Sequence, residues 1–373
     1  MIDKARSLTG NKNYGTLNKR QIKQKLKGVR KTQRYSLPDA RFVTIGRHDN
    51  NEKEQNLWWS GSGVRVKLAC KRLDVEATST AADHAQWLGV LVDGAPITRL
   101  PMAPGTHTYP LLVGLDNQFP HEITILRDTQ PSYDETGAVV LNAVITDGIP
   151  EAPDARPLML EFIGDSLTVG EGTMGPCGEG QEWRMLFISH MPAFPTLVAE
   201  EMKAEKRVIA LGGWGAARSW DNQQDGRIGR IYGQLCGVTP GGQVPAPTDE
   251  RPADAVVINL GTNDGSALAG LGADELPAAQ AELRSRASEL MEAVRIRYPR
   301  AVIVWAYGLC GHTMEEILKG AVEDVRARGD LNAHFLSLSD AQTLGSRMHP
   351  SREAHRQAAR EIVDELRKLL ELG

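Results

Sequence analysis

The sequence predicts an all-β domain followed by an α/β domain built on a parallel sheet, and three observations lead to this. At 373 residues the chain is longer than one hydrophobic core usually organises, so two domains are expected. Short, partly alternating segments fill the chain up to residue 148, whereas apolar runs alternate with helix-like segments from residue 158 onward. Between them, 149–157 contains three prolines and no periodicity, so it is predicted to be the linker.

The first domain, 38–148, contains six short segments of strand character, separated by Gly, Asp, Asn and Pro. Strands of this length and spacing are typical of an antiparallel β-sandwich or jelly roll. The segments are RFVTIGR, VRVKLAC, LDVEATS, LGVLVDG, HEITILRD and GAVVLNAVITDG. We therefore expect an all-β accessory domain in this part of the chain.

The second domain, 158–373, contains five apolar runs, each followed by a helix-like segment. The runs are LMLEFIG, RVIALGG, DAVVINLG, AVIVWAYG and AHFLSLS. This alternation requires right-handed crossovers and a parallel sheet covered by helices on both faces. We expect a flavodoxin-like, three-layer domain with five strands, in which ligands bind beyond the carboxyl ends of the strands.

A basic arm, 1–37, precedes both domains. Residues 1–35 carry eleven Lys and Arg residues against the single Asp3, although the whole chain has a net charge of −4. Its most basic stretch, 18–34, has an aromatic residue only at its edge, Tyr35, and no recognised binding module surrounds it. The arm is therefore expected to be a solvated tail or a helix packed on the acidic body, with no nucleic-acid partner.

The chain contains no run near the roughly 18 apolar residues that a membrane span needs, and no membrane partner is expected. Its first residues also lack the apolar segment of a secretory signal, which predicts a cytoplasmic protein. A secreted protein whose signal had been removed would give the same sequence. The oligomeric state is left open.

No metal and no cofactor are expected. The nine histidines and four cysteines show no metal-ligand spacing, and the thiols are expected to be reduced. A Gly-x-Gly-x-x-Gly spacing begins at Gly170, but Pro176 stands where a dinucleotide-binding loop would continue into a helix.

Four polar or glycine positions follow the predicted strands and would meet on one rim of the sheet. Ser166 follows the first strand, Gly213 the second and Asn263 the third, and His349 precedes the final helix. A serine hydroxyl becomes a nucleophile when a base accepts its proton, and His349 is the candidate base. The backbone N–H groups of Ser166 and Gly213 and the Asn263 amide could hold an oxyanion. This set is suited to ester hydrolysis.

The same residues carry a family resemblance. FIGDSLTVGEG, followed by Gly213, LGTND and MHPS, resembles the four sequence blocks of the SGNH or GDSL hydrolases over about 158–373. The resemblance implies that Ser166 is the nucleophile, His349 the base, and Gly213 and Asn263 parts of the oxyanion hole.

A looser resemblance covers nearly all of 40–373. LWWSGSGVRVKL and LGVLVDG, placed before the hydrolase blocks, are similar to the two-domain acetyl esterases of carbohydrate esterase family two. It implies a jelly roll in front of the hydrolase and removal of acetyl groups from xylan or glucomannan through an acyl-enzyme. Two alternatives remain: a lipase or thioesterase on the same scaffold, and a noncatalytic carbohydrate-binding protein with a degenerate hydrolase domain.

The chain departs from the superfamily pattern at Ser346, where most members carry an Asp three residues before the histidine. A backbone carbonyl near Gly345 or Ser346 could hold the imidazole instead, Asp340 could fold back to do so, or the enzyme could be slow. The resembled esterases include Ser–His dyads with a carbonyl in that place. A dyad is therefore the favoured prediction.

Three further residues near these blocks have predicted roles. Trp214, between glycines beside the proposed oxyanion hole, is expected to contact substrate, because aromatic faces suit the apolar faces of sugars. Asp165 is expected to bind backbone donors in the turn at Ser166, and Asp264 to cap the next helix.

Overall fold

The computed structural model describes residues 31–49, 51–115, 118–131, 137–178 and 180–372. Most of the predicted basic arm, 1–37, therefore lies outside the described residues. Its last part, Gln33–Ser36, forms the first strand and pairs with a strand of the first domain.

In the described part of the first domain, ten strands form two antiparallel sheets. They are β1 (Gln33–Ser36), β2 (Val43–Ile45), β3 (Gln55–Asn56), β4 (Gly63–Leu68), β5 (Arg72–Ser79), β6 (Trp87–Val92), β7 (Ala95–Pro101), β8 (Gly105–Val113), β9 (His121–Arg127) and β10 (Val139–Thr146). One sheet has the order β1-β10-β5-β8 with β3 beside β10, and the other has the order β2-β4-β9-β6-β7.

The two sheets share one hydrophobic core. Leu73, Val75 and Ala77 of β5 alternate along the first sheet, and Ile123 and Ile125 of β9 alternate along the second. All five side chains are fully buried in the same cluster. This packing confirms the predicted β-sandwich.

The second domain is a three-layer α/β domain. Its elements are β11 (Leu158–Gly164), α1 (Ser166–Val169), α2 (Phe194–Glu201), β12 (Ala204–Ala210), β13 (Ala255–Asn259), α3 (Thr262–Ala269), α4 (Leu276–Arg297), β14 (Val302–Tyr307), α5 (Glu315–Ala327), β15 (Ala333–Ser337) and α6 (Arg352–Leu369). The five strands are all parallel, in the order β12-β11-β13-β14-β15. The predicted parallel sheet of five strands is confirmed.

Side chains on the two faces of this sheet enter two separate cores. Along β13, Val256 and Ile258 pack in the core that contains Leu283 of α4 and Leu318 of α5. Val257, between them, points to the opposite face and packs in the core formed with α2 and α6. Because both faces are covered, the strands are apolar throughout instead of alternating. In the described residues no helix has the length and apolar character needed to cross a membrane.

A buried carboxylate in the inner strand β11 joins the two domains. Glu161 is fully buried and accepts hydrogen bonds from the hydroxyls of Tyr232 and Tyr298, each at 2.8 Å. Arg47 of the sandwich domain lies 3.8 Å from it, and Arg207 lies 3.4 Å from it. Burial alone would raise the pKa of Glu161, but the two guanidinium groups and the two hydroxyls hold it below its usual value.

The segment predicted to be the linker, 149–157, is bonded to both domains. Glu151 exchanges two backbone hydrogen bonds of 2.9 Å with Lys67 in β4. Arg156 binds Glu122 of β9 at 2.6 Å and Glu200 of α2 at 2.9 Å. The domain boundaries at 148 and 157 stay a prediction.

Candidate active site

Ser166 lies just beyond the carboxyl end of the inner strand β11, at the first residue of the short helix α1. Asp165 leaves the extended conformation of β11, and its carboxylate accepts a hydrogen bond of 3.0 Å from the N–H of Leu167, which caps the helix. This is the backbone role expected for Asp165. The cap turns the chain sharply and leaves the Ser166 hydroxyl at the rim of the sheet, with the residue 6% exposed.

His349 lies within hydrogen-bond reach of Ser166. Its Nε2 is 3.1 Å from the Ser166 Oγ, and its Nδ1 is 2.9 Å from the backbone carbonyl oxygen of Arg347. A carbonyl can only accept a hydrogen bond, so Nδ1 carries the ring proton and Nε2 accepts from the serine hydroxyl. This is the tautomer that a general base for Ser166 requires.

Neither residue named as an orienter of His349 is bonded to its ring. Asp340 accepts a hydrogen bond of 3.1 Å from the N–H of Gly311, and its exposed carboxylate lies 3.6 Å from His312. The Ser346 carbonyl accepts from the backbone N–H of His349 at 3.2 Å, so it holds the backbone and not the ring. A neutral backbone carbonyl does orient the imidazole, but it belongs to Arg347.

The turn before His349 explains why the Arg347 carbonyl faces the ring. Arg347 and Met348 have φ values of 55° and 59°, a left-handed conformation that side chains other than glycine rarely adopt. The turn is closed by a hydrogen bond of 2.7 Å from the N–H of Gly345 to the His349 carbonyl. A Cβ at Gly172 would lie 2.5 Å from the Cβ of His349, so glycine is required for this loop to approach Ser166.

Two backbone donors face the same rim. Within the described residues, the N–H groups of Ser166 and Gly213 have no hydrogen-bond acceptor, so both are free to bind an oxyanion. Gly213 has a φ of 77°, and the N–H of the preceding Gly212 donates to the side-chain oxygen of Gln130 at 2.8 Å. Gln130 belongs to the sandwich domain and is fully buried.

The Asn263 side chain lies between the loops that carry these donors. Its Nδ2 donates to the carbonyl of Trp214 at 2.9 Å and to the Asp165 carboxylate at 3.2 Å. Asn263 therefore contacts the residue after Gly213 and the residue before Ser166. Because both of its N–H groups have protein acceptors here, donation to an oxyanion requires one of them to be exchanged or shared.

Asp264 does not cap a helix, so that prediction is wrong. As the third residue of α3 it points towards the neighbouring loop, where its carboxylate accepts from the N–H groups of Ala216, Ala217 and Arg218 at 2.8, 2.8 and 3.0 Å. Burial raises the pKa of Asp264. Burial also raises the pKa of Asp165 to about 7, and the nearby carboxylates of Asp264 and Glu171 act in the same direction.

Trp214 lines an open cleft of about 390 Å³ beside the two backbone donors. The cleft is also lined by Gly213, Trp220, Asp221 and Arg230, among others. Trp220 is 63% exposed, and the Arg230 guanidinium lies over the Trp214 ring, 5.6 Å from its centre. An open cleft with aromatic and charged walls suits a polar ligand.

One charged residue near the histidine was missed at the sequence level. The Glu171 side chain is 3% exposed, its Oε2 lies 3.9 Å from Nε2 of His349, and its Oε1 binds the Arg347 guanidinium. A charged residue between two glycines, directly after the nucleophile turn, was the signal that could have found it. Gln130 had no such signal, since its contact with Gly212 spans 82 residues.

The described residues contain no group of three or more His, Cys, Asp or Glu side chains placed to hold a metal ion.

Comparison with known proteins matches both domains. The family model described as "GDSL-like Lipase/Acylhydrolase family" matches residues 162–369, more than half of the chain, and the one described as "Carbohydrate esterase 2 N-terminal" matches residues 44–153. The chain is 23% identical over 338 residues to an acetylxylan esterase / glucomannan deacetylase of Cellvibrio japonicus, covering 89% of this chain and 90% of that protein.

Two further relatives have the same arrangement. The chain is 26% identical over 325 residues to a cellulase/esterase of Acetivibrio thermocellus, but this match covers 84% of the chain and only 37% of that longer protein. The solved structure of an acetyl xylan esterase from the rumen bacterium Butyrivibrio proteoclasticus has a TM-score of 0.86 and 24% identity, covering 92% of this chain and 99% of that one. The latter likeness shows that the two proteins share the whole two-domain fold.

Proposed function

The chain belongs to the GDSL-like lipase/acylhydrolase family, and from this we propose that it is a serine esterase that removes acetyl groups from acetylated carbohydrate of the xylan or glucomannan type. The observation that carries the proposal is the hydrogen bond of 3.1 Å between His349 Nε2 and Ser166 Oγ, with the opposite ring nitrogen bound to a carbonyl. The names of the relatives and the match of the first domain to a carbohydrate esterase model support the substrate class.

The proposed reaction uses Ser166 and His349 as a dyad. The Ser166 oxygen attacks the acetyl carbonyl carbon while Nε2 of His349 takes the hydroxyl proton. The imidazolium then returns that proton to the departing sugar oxygen, which leaves an acetyl-enzyme. Water attacks the acetyl-enzyme while His349 takes one of its protons, and the imidazolium returns that proton to the Ser166 oxygen as the acyl bond breaks. Acetic acid leaves and ionises to acetate.

The negative charge on the carbonyl oxygen would be held by three donors. The N–H groups of Ser166 and Gly213 lack protein acceptors within the described residues, and this supports their assignment to the oxyanion hole. Asn263 would be the third donor, by exchanging or sharing its longer bond, the one of 3.2 Å to Asp165. Each such donor lowers the barrier by about 3 kcal/mol in a serine protease.

The open cleft beside Gly213 is better suited to binding a sugar than a long acyl chain. Trp214 and the exposed Trp220 offer faces for the apolar side of a sugar ring, and Arg230 and Asp221 offer partners for hydroxyl groups. We assign the sugar to this cleft and the small acetyl group to the rim at Ser166. A lipase would instead need an apolar channel for its acyl chain.

The proposal is tested by acetate release from acetylated xylo- and glucomanno-oligosaccharides, compared with nitrophenyl esters of eight or more carbons. We expect the acetylated sugars to be preferred. Ser166→Ala and His349→Ala should each lower kcat by at least about four orders of magnitude, since comparable changes cost about six in a serine protease. Ser285→Ala, on the exposed surface of α4, is the control. Preference for long acyl chains, or sugar binding without any hydrolysis, would contradict the proposal.

A further inference from the structure

The imidazole of His349 lacks the charged partner that usually stabilises its protonated form. In the proposed reaction the ring gains a positive charge when it takes the Ser166 proton, and Nδ1 is then bonded only to the neutral carbonyl of Arg347. In a serine protease the triad aspartate supplies this charge, and its loss lowers kcat by about four orders of magnitude. The stabilising charge must therefore come from another direction.

Glu171 is placed to supply it. Among the described residues, it is the carboxylate with an oxygen within 4 Å of the His349 ring, at 3.9 Å from Nε2. Its position is fixed, because its backbone N–H donates to the Ser166 carbonyl at 2.9 Å and its side chain is only 3% exposed. In a buried setting a charge at this distance acts far more strongly than it would in water.

Arg347 is linked to both sides of the His349 ring, directly at Nδ1 and through Glu171 near Nε2. Its carbonyl accepts from Nδ1, while its guanidinium binds the Glu171 carboxylate whose other oxygen lies near Nε2. We propose that Glu171 is a positioning residue for His349 and that the Glu171–Arg347 pair sets the proton affinity of the imidazole in place of the missing aspartate. The inference rests on the proposed function for its catalytic meaning.

Other charged groups near the ring must be considered in any test of pH dependence. On α6, Arg352 donates to the Thr173 carbonyl at 2.8 Å, and His355 is fully buried. Burial lowers the pKa of His355 to about 3, with the neighbouring His349 adding to the shift, so His355 stays neutral above pH 5. Burial raises the pKa of Asp165, on the Ser166 turn, to about 7, and the Glu171 carboxylate acts in the same direction. Arg352 and His355 are the same in each variant below and cancel in the comparison. Because Glu171→Gln also lowers the pKa of Asp165, the titration of the His349 ring itself is needed beside the kinetic profile.

The test uses two neutral substitutions with opposite expected effects. Glu171→Gln keeps an oxygen for Arg347 but removes the negative charge, so the imidazolium becomes less stable. Arg347→Gln keeps the backbone carbonyl but removes the positive charge that offsets Glu171, so the imidazolium becomes more stable. A purely structural role would move both variants in the same direction.

Two readouts are measured over pH 5–9: the acid limb of kcat/KM on an acetylated xylo-oligosaccharide, and the NMR titration of the His349 ring, assigned with His349→Gln. In Glu171→Gln we expect both midpoints to fall by about one pH unit, a tenfold change in proton affinity, with kcat lower by about tenfold. In Arg347→Gln we expect both midpoints to rise. Glu171→Asp should restore most of the wild-type profile, and Glu182→Gln, a 76% exposed carboxylate, should leave it unchanged.

Three outcomes distinguish the proposals. Midpoints that move together, or that do not move in folded variants, overturn the role of Glu171. A wild type that hydrolyses no ester overturns the proposed function, but the NMR titration still tests the Glu171–Arg347 pair. If Glu171→Gln fails to fold, a rise in Arg347→Gln together with restoration by Glu171→Asp supports the proposal, and no rise contradicts it.

Discussion

The two loops that meet at Ser166 are held in different ways. The oxyanion loop, 211–220, is fixed by side chains from distant parts of the chain: Gln130 binds Gly212, and Asp264 binds three successive N–H groups. The histidine loop, 339–351, closes on its own backbone through the turn from Gly345 to His349 and the carbonyl of Arg347. Its other contacts near the site come from the segment that follows Ser166 in the same domain: the Ser346 hydroxyl donates to the Met174 carbonyl and the Arg347 N–H donates to the Gln181 side chain, each at 2.6 Å.

This difference determines where each loop is vulnerable. The oxyanion loop should be sensitive to single side-chain changes outside it, including one in the other domain. The histidine loop should be insensitive to carboxylates in its own sequence and sensitive to the conformation and charge of Arg347. Four substitutions test the comparison, starting with the one expected to have the largest effect.

Of the four substitutions, Asp264→Ala should destabilise the oxyanion loop most. It removes the acceptor of three buried N–H groups, each of which costs about 1 kcal/mol or more when left unpaired, so the free energy of unfolding should fall by about 3 kcal/mol. Because Gly213 lies beside the released segment, kcat should also fall. Urea unfolding and acetate release measure the two effects. The exposed Asp274→Ala is the control, and an equal loss there would contradict the assignment.

Asp165→Asn tests the point where the loops meet, because Asp165 binds Asn263 beside Ser166. Burial raises the pKa of Asp165 to about 7 in the folded state, against about 3.9 in an unfolded chain. The stability gained by keeping the proton is complete below pH 4 and is lost as the pH rises to about 7. Between pH 5 and pH 8 the wild type should therefore lose about 2.5 kcal/mol relative to Asp165→Asn.

Urea unfolding at several pH values measures this difference. The exposed Asp364→Asn should show no change with pH relative to the wild type. A constant difference between Asp165→Asn and wild type would mean that Asp165 keeps an ordinary proton affinity.

Gln130→Leu removes the support that the sandwich domain gives to the oxyanion loop. The N–H of Gly212 loses its acceptor, and the donor at Gly213 is less well positioned, so kcat should fall by about tenfold, or about 1.4 kcal/mol. KM should change little, because Gln130 is fully buried beneath Gly212 and does not itself line the cleft. Steady-state kinetics measure both values, with the exposed Gln33→Leu of β1 as control. An unchanged kcat would show that the loop needs no help from the other domain.

Asp340→Asn should have the smallest effect. Asp340 binds Gly311 and lies near His312, and neither contact reaches His349. We expect kcat/KM to stay within about twofold of the wild type, below what the loss of one ordinary hydrogen bond at a catalytic group would cost. A loss of tenfold or more would mean that Asp340 moves to the imidazole during the reaction.

The sheet and the convergence of the four loops could be predicted from the sequence. Runs such as DAVVINLG are apolar throughout because the strand is covered on both faces, and parallel strands place their carboxyl ends at one edge. That rule alone places Ser166, Gly213, Asn263 and His349 at one rim of the sheet. Their catalytic roles stay a prediction until the variants are measured.

What could not be predicted depends on backbone conformation and on distant contacts. Arg347 and Met348 adopt a left-handed backbone conformation, but neither is a residue type that indicates this conformation. The sequence therefore predicts only a carbonyl near Gly345 or Ser346 and does not identify that of Arg347. Glutamine at position 130 looks like any polar loop residue until the domains are assembled. Local pattern identifies the strand ends, but it does not identify the groups that hold them.

The buried carboxylate of Glu161 limits how the two domains can be separated or exchanged. Its partner Arg47 and the loop support Gln130 both come from the first domain, so excising 158–373 would remove one of the two guanidinium groups beside Glu161 and the acceptor of the Gly212 amide. The esterase domain therefore cannot be moved into another protein on its own without losing these contacts. A functional fusion protein would have to contain both domains together.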